Sequence, residues 1–274
     1  MSKIVHFAKA VLSTSLKVTL RKVMEDFRER SFRPYIKKKN VEGVIFDFYV
    51  GDRSGRDWYD LHCTDPVWAE LRFIRDHLLR EGDVVLECGA HHGCTTAVLS
   101  HWVGDKGKVV AFEPVPKNCD IIRRQIELNN LTNIVLESKA VGAAIGKTTI
   151  TGSSNSSIVS SSKPGIQVEL TCLDQYAHLN PSLLKIDVEG FEVEVLRGAS
   201  KVLSKRPKLA IEIHTDALGR YNSSVEDVFN LIAPDEYELW VQWEDGEEPI
   251  EYSGKSPPIT SRVHLFGFPR KPMF

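Results

Sequence analysis

Asp83-Val84-Val85-Leu86-Glu87-Cys88-Gly89-Ala90-His91-His92-Gly93 runs an apolar strand straight into a glycine turn. Val84, Val85 and Leu86 are continuously apolar, as expected of a strand covered on both faces. Gly89 and Gly93 let the backbone turn tightly and approach a ligand closely. A helix is expected from Cys94 to about Trp102. A second apolar strand, Val109-Val110-Ala111-Phe112, ends in Glu113. An acidic side chain about 20 residues beyond such a loop can accept hydrogen bonds from both hydroxyls of a ribose. The pairing points to a nucleoside-binding α/β fold.

The loop lacks the G-x-G-x-x-G fingerprint, because Ala90 and His91 stand between the two glycines. It is therefore a poor cradle for the pyrophosphate of NAD. The form E-x-G-x-x-x-G suits a nucleoside without phosphates, such as S-adenosylmethionine. A later apolar strand, Leu183-Leu184-Lys185-Ile186-Asp187-Val188-Glu189, carries three charges. Burying them is costly unless they are paired or used. Alternation puts Lys185, Asp187 and Glu189 on one side of the strand. Asp187 and Glu189 fall near its C-terminal end, where open α/β sheets bind ligands.

The run Glu87-Cys88-Gly89-Ala90-x-x-Gly93, then Ala111-Phe112-Glu113-Pro114, Leu128-Asn129 and Lys185-Ile186-Asp187-Val188-Glu189-Gly190-Phe191-Glu192 resembles the FkbM family of S-adenosylmethionine-dependent methyltransferases. Leu196-Arg197-Gly198-Ala199 and Pro207-x-x-Ala210-Ile211-Glu212-Ile213-His214 extend the likeness. The chain departs from the family pattern at Glu87, where Asp is usual, and at His91, where Asn is usual. The resemblance implies a Rossmann-like class I methyltransferase fold. It also implies S-adenosylhomocysteine as product and O-methylation of a hydroxyl on a sugar, glycolipid or secondary metabolite.

Charge is unevenly distributed. Met1–Asn40 holds 11 Lys and Arg against 3 Asp and Glu, whereas the rest of the chain holds 24 against 34. The basic segment, with Ile4, Phe7, Ala8, Val11 and Leu12 at helical spacing, is expected to pack on the domain or to touch an anionic membrane surface. A nucleic acid is not among the expected partners. Five cysteines without a C-x-x-C pair indicate neither a disulfide framework nor a zinc site. The expectation is a cytoplasmic protein, with peripheral membrane contact as the variant.

Three segments follow: a basic helical segment over 1–40, a cap over 41–80 and a methyltransferase domain over 81–274. In the cap, Val44–Val50 and Trp58–Cys63 read as strands and Val67–Arg80 as an amphipathic helix; Lys37-Lys38-Lys39 reads as solvated. Beyond it, strands are expected near 83–88, 108–113, 133–138, 183–188, 207–213, 236–242 and 262–268. Helices are expected near 94–102, 117–129, 190–203 and 224–232. The alternation gives a mostly parallel seven-stranded sheet closed by a C-terminal antiparallel hairpin. Thr151–Gly165, with seven serines from Ser153 to Ser162, is expected to be a surface loop or a lid.

For the cofactor, Glu87, Gly89, Ala90, His91 and Gly93 form the methionine-side loop. Glu113 and Pro114 meet the ribose, Ser138 and Ala140 border the adenine, and Asp187 closes the site. An alcohol acceptor must lose a proton as it attacks. Candidate acid-base residues are Asp187, His214, Glu212 and Lys185, with His214 or Asp187 as the base. His is favoured because its ordinary pKa is near neutral. The same carboxylates could hold Mg²⁺, but nothing in their spacing demands a metal. The acceptor is expected to be a small molecule or glycan. Two other readings stand behind this one. One is an inactive nucleoside-binding or membrane-associated module. The other is an NAD(P)-dependent oxidoreductase, whose Tyr-x-x-x-Lys occurs only as Tyr35…Lys39, ahead of the nucleoside domain.

Overall fold

The computed structural model describes residues 29, 31–61, 68–159, 164–253 and 256–270. The amphipathic stretch 3–28 and its membrane contact lie outside the described residues. Two strands open the described chain, β1 (Tyr35–Val41) and β2 (Val44–Val50), paired antiparallel. The lysine run is therefore part of a strand, which moves the start of regular β-structure into the segment expected to be helical. Lys39 is buried, donates to the Tyr59 carbonyl, and lies 5.8 Å and 5.9 Å from the Phe48 and Trp68 rings. Trp58–Cys63 is not a strand: Asp52 accepts from Gly55 N at 2.8 Å and starts helical turns over Arg53–Gly55 and Arg56–Leu61, and residues 62–67 lie outside the described ones. The helix α1 (Ala69–Phe73) follows and widens over Ile74–Leu78.

The core alternates as the apolar runs require. It comprises β3 (Val84–Cys88), α2 (Cys94–Val103), β4 (Lys108–Phe112), α3 (Pro116–Leu128) and β5 (Ile134–Glu137). A small four-stranded sheet is then inserted: β6 (Ala140–Val141), β7 (Gly146–Ile150), β8 (Ile158–Val159) and β9 (Ile166–Thr171). The main sheet resumes with β10 (Leu183–Ile186), α4 (Glu192–Arg197), α5 (Ser200–Leu203) and β11 (Lys208–Ile213). It ends with α6 (Thr215–Leu218), α7 (Val225–Ile232), β12 (Tyr237–Gln242), β13 (Ile250–Tyr252) and β14 (Val263–Pro269).

The strand order is β13-β12-β14-β11-β10-β3-β4-β5. Pairings from β11 through β5 are parallel, and β14 and β12 run antiparallel to their neighbours. The expected seven strands and closing antiparallel pair are present, and short β13 adds an eighth. This is the Rossmann-like class I methyltransferase topology. One apolar layer on the sheet contains Leu86, Phe112, Leu184 and Ile211; the other contains Val85, Val109, Leu183 and Ala210.

Two details shape the site. The helix expected over 190–203 breaks at Gly198, whose backbone abuts the Gly142 carbonyl so closely that a Cβ would stand 2.1 Å from it. Asp174 then caps α5, accepting from Lys201 N at 2.7 Å. The β1–β2 hairpin is fastened to α3 by side-chain amides. Asn129 accepts from Asp47 N at 2.9 Å and donates to Asp47 O at 2.8 Å. Gln125 does the same for Tyr49, at 2.8 Å and 3.1 Å. These amides imitate a strand neighbour and close the β2 edge. No described helix is long and apolar enough to cross a membrane.

Candidate functional site

The sheet order reverses between β3 and β10, and their C-terminal ends form the crevice in which open α/β sheets bind ligands. Asp187 N donates to Cys88 O at 2.9 Å, holding the two ends together. Gly89 sits there at φ +90°, and a Cβ on it would stand 1.8 Å from the Asp187 carbonyl oxygen. Only glycine fits this approach. Above it opens a cavity of about 400 Å³, within the usual range for cofactor sites.

At one end the wall is formed by Gly89, Ala90, His91, Glu113, Pro114 and Ala140, together with Lys139. The Glu113 carboxylate accepts from Val115 N (2.8 Å) and Asn118 Nδ2 (3.3 Å) on Oε1, and from His91 N (2.8 Å) on Oε2. Oε2 thus takes one of these donors and Oε1 takes two. Burial pushes the Glu113 pKa up to about 8, against the pull of those three N–H donors. Asn118 had no signal in the sequence; it also reaches the Ser154 carbonyl at 2.9 Å.

Three expected cofactor residues do not line the cavity. Glu87 lies fully buried beneath the loop, where Thr96 Oγ1 donates to it at 2.6 Å, and burial raises its pKa to about 7. It is a strut between β3 and α2. Gly93, at φ +76°, stands at the N-cap of α2, and a Cβ there would meet Ile122 at 3.1 Å. Ser138 is exposed and accepts from Arg123 Nη2 at 2.9 Å.

The other end gathers Lys185, Asp187, Glu189, Glu212 and His214, with Asp245 and Arg262 from the C-terminal part of the chain. Lys185 Nζ lies 3.6 Å from Glu70 Oε1 and 3.9 Å from Asp187 Oδ2. Burial opposes its charge, but Glu70, Asp187, Glu87 and Glu212 together hold it protonated. The Asp187 pKa is raised, by burial first and by the Glu212 charge next, against Lys185 and His214. Its side chain remains 32% exposed, toward the cavity.

His214 differs from the expectation of a near-neutral base. Its Nδ1 donates to Glu192 Oε1 at 2.8 Å, and its Nε2 lies 3.5 Å from Glu212 and 3.7 Å from Glu189. Burial disfavours the charge, yet the Glu192 hydrogen bond, Glu212 and Asp187 outweigh it and lift the pKa to about 9. A pKa of about 9 favours the charged imidazolium near neutral pH, with a proton rather than a lone pair on Nε2. Glu192, fully buried and unassigned in the sequence beyond its place in the motif, also accepts from Gly190 N at 2.9 Å. Glu212 also accepts from Arg262.

Among the described residues, Asp187, Glu212 and His214 each bring a ligand atom within 4.8 Å of the others. The cluster already holds its own cations: Lys185 beside Asp187, Arg262 on Glu212, and the His214 proton. A metal bound there would have to displace the His214 proton.

The sequence matches the family model "Methyltransferase FkbM domain" over residues 87–239. No curated protein matches it. An FkbM methyltransferase from Methylobacillus flagellatus aligns with TM-score 0.48 and 19% identity, over 75% of this chain and 56% of that one. This chain therefore spans little more than half the length of that protein. Fibrillarin from Aeropyrum pernix, solved with natively bound S-adenosyl-L-methionine, aligns with TM-score 0.48 and 13% identity, over 87% and 85% of the two chains. An S-adenosylmethionine-dependent O-methyltransferase from Thermotoga maritima aligns with TM-score 0.46 and 12% identity, over 87% and 79%. The family match spans the glycine loop, the Glu113 strand end and the charged β10 segment alike, and the chain belongs to the FkbM family of S-adenosylmethionine-dependent methyltransferases.

Proposed function

We propose that this methyltransferase O-methylates a hydroxyl of a small-molecule or glycan acceptor (a sugar, glycolipid or secondary metabolite), with Asp187 as the general base. S-adenosylmethionine, when bound, supplies a methyl group already activated on a sulfonium, so the protein must mainly align donor and acceptor and remove one proton. The loop Gly89–His91 and Glu113 would hold the cofactor, with Ala140 against its base. The observation that carries the reading is Asp187 itself. It is exposed to the cavity beside Gly89, and its proton affinity is raised above that of an ordinary carboxylate. Raised affinity makes it a better acceptor for a hydroxyl proton.

His214 would act as a charged donor that orients the acceptor, and Lys185 would keep Asp187 in place. At the mouth stand Trp58, 56% exposed, and Phe191, whose ring is 4.9 Å edge-on from Tyr221. Flat aromatic faces beside carboxylates suit a polyhydroxylated ring, which presents apolar C–H faces and many donors. The test is methyl transfer from trideuteromethyl donor to a panel of glycosides, matched deoxy analogues and amines. The reading predicts an oxygen-bound trideuteromethyl group in the product by NMR. Transfer only to amines would contradict it.

A further inference from the structure

Two segments outside the main sheet roof the cavity. The helical turn Arg56–Leu61 contributes Trp58 and Tyr59, and the loop between β7 and β8 contributes Ser154, Asn155 and Ser156. Both are tied to the cofactor loop through His91, and Ser154 is also held there by His92, whose Nε2 lies 3.0 Å from its hydroxyl. His91 Nδ1 lies 2.7 Å from the Tyr59 hydroxyl, and His91 Nε2 lies 2.8 Å from the Ser154 hydroxyl. We propose that His91 is a positioning residue that fastens both roofing segments to the cofactor loop and so sets how fast the demethylated cofactor leaves. The inference rests on the reading of this cavity as the cofactor site.

The geometry around His91 is fixed from several sides. Its backbone is left-handed, φ +52°, a conformation disfavoured for a non-glycine residue. Its N–H donates to Glu113 Oε2 at 2.8 Å. Its ring stacks on His92, with centroids 4.1 Å apart and planes 17° from parallel. Burial first, and the neighbouring His92 next, hold its pKa down to about 3, so the ring is neutral and presents one N–H and one lone pair. Tyrosine and serine hydroxyls can each donate or accept, so both ring nitrogens are satisfied in either tautomer.

Each tether reaches beyond its own segment. Ser154 also accepts from Asn118 Nδ2 through its carbonyl, at 2.9 Å, and Asn118 Nδ2 is 3.3 Å from Glu113 Oε1. The far end of the same loop is held by Tyr221, whose hydroxyl donates to the Ile158 carbonyl at 3.0 Å. Loss of the imidazole therefore removes one tether from the middle of the loop and one from the Tyr59 turn, while Ser154 keeps its contacts to His92 and Asn118. Product that must pass between these segments would then escape more readily.

The variant of choice is His91→Asn, because Asn tolerates the left-handed backbone but cannot span both hydroxyls. Hydrogen exchange on the ligand-free protein and stopped-flow release of S-adenosylhomocysteine are measured together. Expected for His91→Asn are faster exchange in both 56–61 and 152–158 and release faster by about tenfold, the worth of one hydrogen bond. Tyr59→Phe should loosen only 56–61 and should not add to His91→Asn; Ser154→Ala, which also loses the His92 and Asn118 contacts of its hydroxyl, should loosen only 152–158. Wild-type exchange and release in His91→Asn, or an effect confined to one segment, would overturn the proposal. If the wild-type protein bound no S-adenosylhomocysteine, the cofactor assignment and the effect on release would fall, while the exchange pattern would still decide the fastening.

Discussion

His214 Nδ1 donates to Glu192 Oε1 at 2.8 Å, inside a part of the cavity wall where Glu189 and Glu212 face the other ring nitrogen. A buried carboxylate on one side and two more on the other make the imidazolium the stable form. The histidine that sequence spacing offers as a base thus favours its charged form near neutral pH.

This arrangement gives stability a definite pH dependence. The folded pKa of His214, about 9, lies above its ordinary value of 6.5. Its stabilisation is fully present below about pH 6.5 and is lost as pH rises through about 9. Thermal denaturation should show wild type losing its advantage over His214→Asn across that window. At pH 6 the variant should be less stable by about 3 kcal/mol, because Glu192 is left buried and unpaired.

Glu113 should couple cofactor binding to proton release. Its pKa of about 8 favours the protonated carboxyl at pH 7. Ribose hydroxyls donating to the carboxylate favour its ionised form. Calorimetry of S-adenosylhomocysteine binding in buffers of different ionisation enthalpy should register net proton release at pH 7. That release should fade above the folded pKa and be absent in Glu113→Gln.

The hairpin clasp makes a prediction about the fold alone. Asn129→Ala strands both Asp47 backbone groups, which the amide satisfies at 2.9 Å and 2.8 Å. The loss should be about 1–3 kcal/mol in urea unfolding, with little change in the cofactor site.

Cations already present at the acceptor end bear on metal use. Asp187, Glu212 and His214 are close enough to share an ion, but Lys185, Arg262 and the His214 proton balance them. Exhaustive chelation should leave the methyl-transfer rate unchanged. Loss of activity restored by Mg²⁺ would show that an ion displaces Arg262 from Glu212.

The main sheet was legible because its central strands are covered on both faces. Val84–Leu86, Val109–Phe112 and Leu183–Ile186 are close to unbroken apolar runs, interrupted only where Lys185 meets Glu70 and Asp187. Strand β1 was hidden because Lys37-Lys38-Lys39 looks solvated in isolation. The burial of Lys39 depends on Phe48, Tyr59 and Trp68, which only the tertiary fold brings near. Trp58–Cys63 has strand composition, but the helix-capping Asp52 before it was the stronger local signal. The Gly198 break went unread within the helix expected over 190–203, because the close approach of Gly142 that requires it is a tertiary contact. At the site, residue types and strand ends could be read from the sequence, whereas protonation could not. Only the meeting of Glu192, Glu212 and Asp187 around His214 sets its charge.

The most direct test is the Asp187→Asn enzyme, assayed with trideuteromethyl donor and a hydroxyl acceptor alongside its affinity for S-adenosylhomocysteine. The predicted result is a kcat lower by roughly 10²–10⁴, with product binding within a few-fold of wild type and the remaining rate no longer rising with pH as a carboxylate ionises. Full turnover by Asp187→Asn, with the wild-type pH profile, would contradict the account.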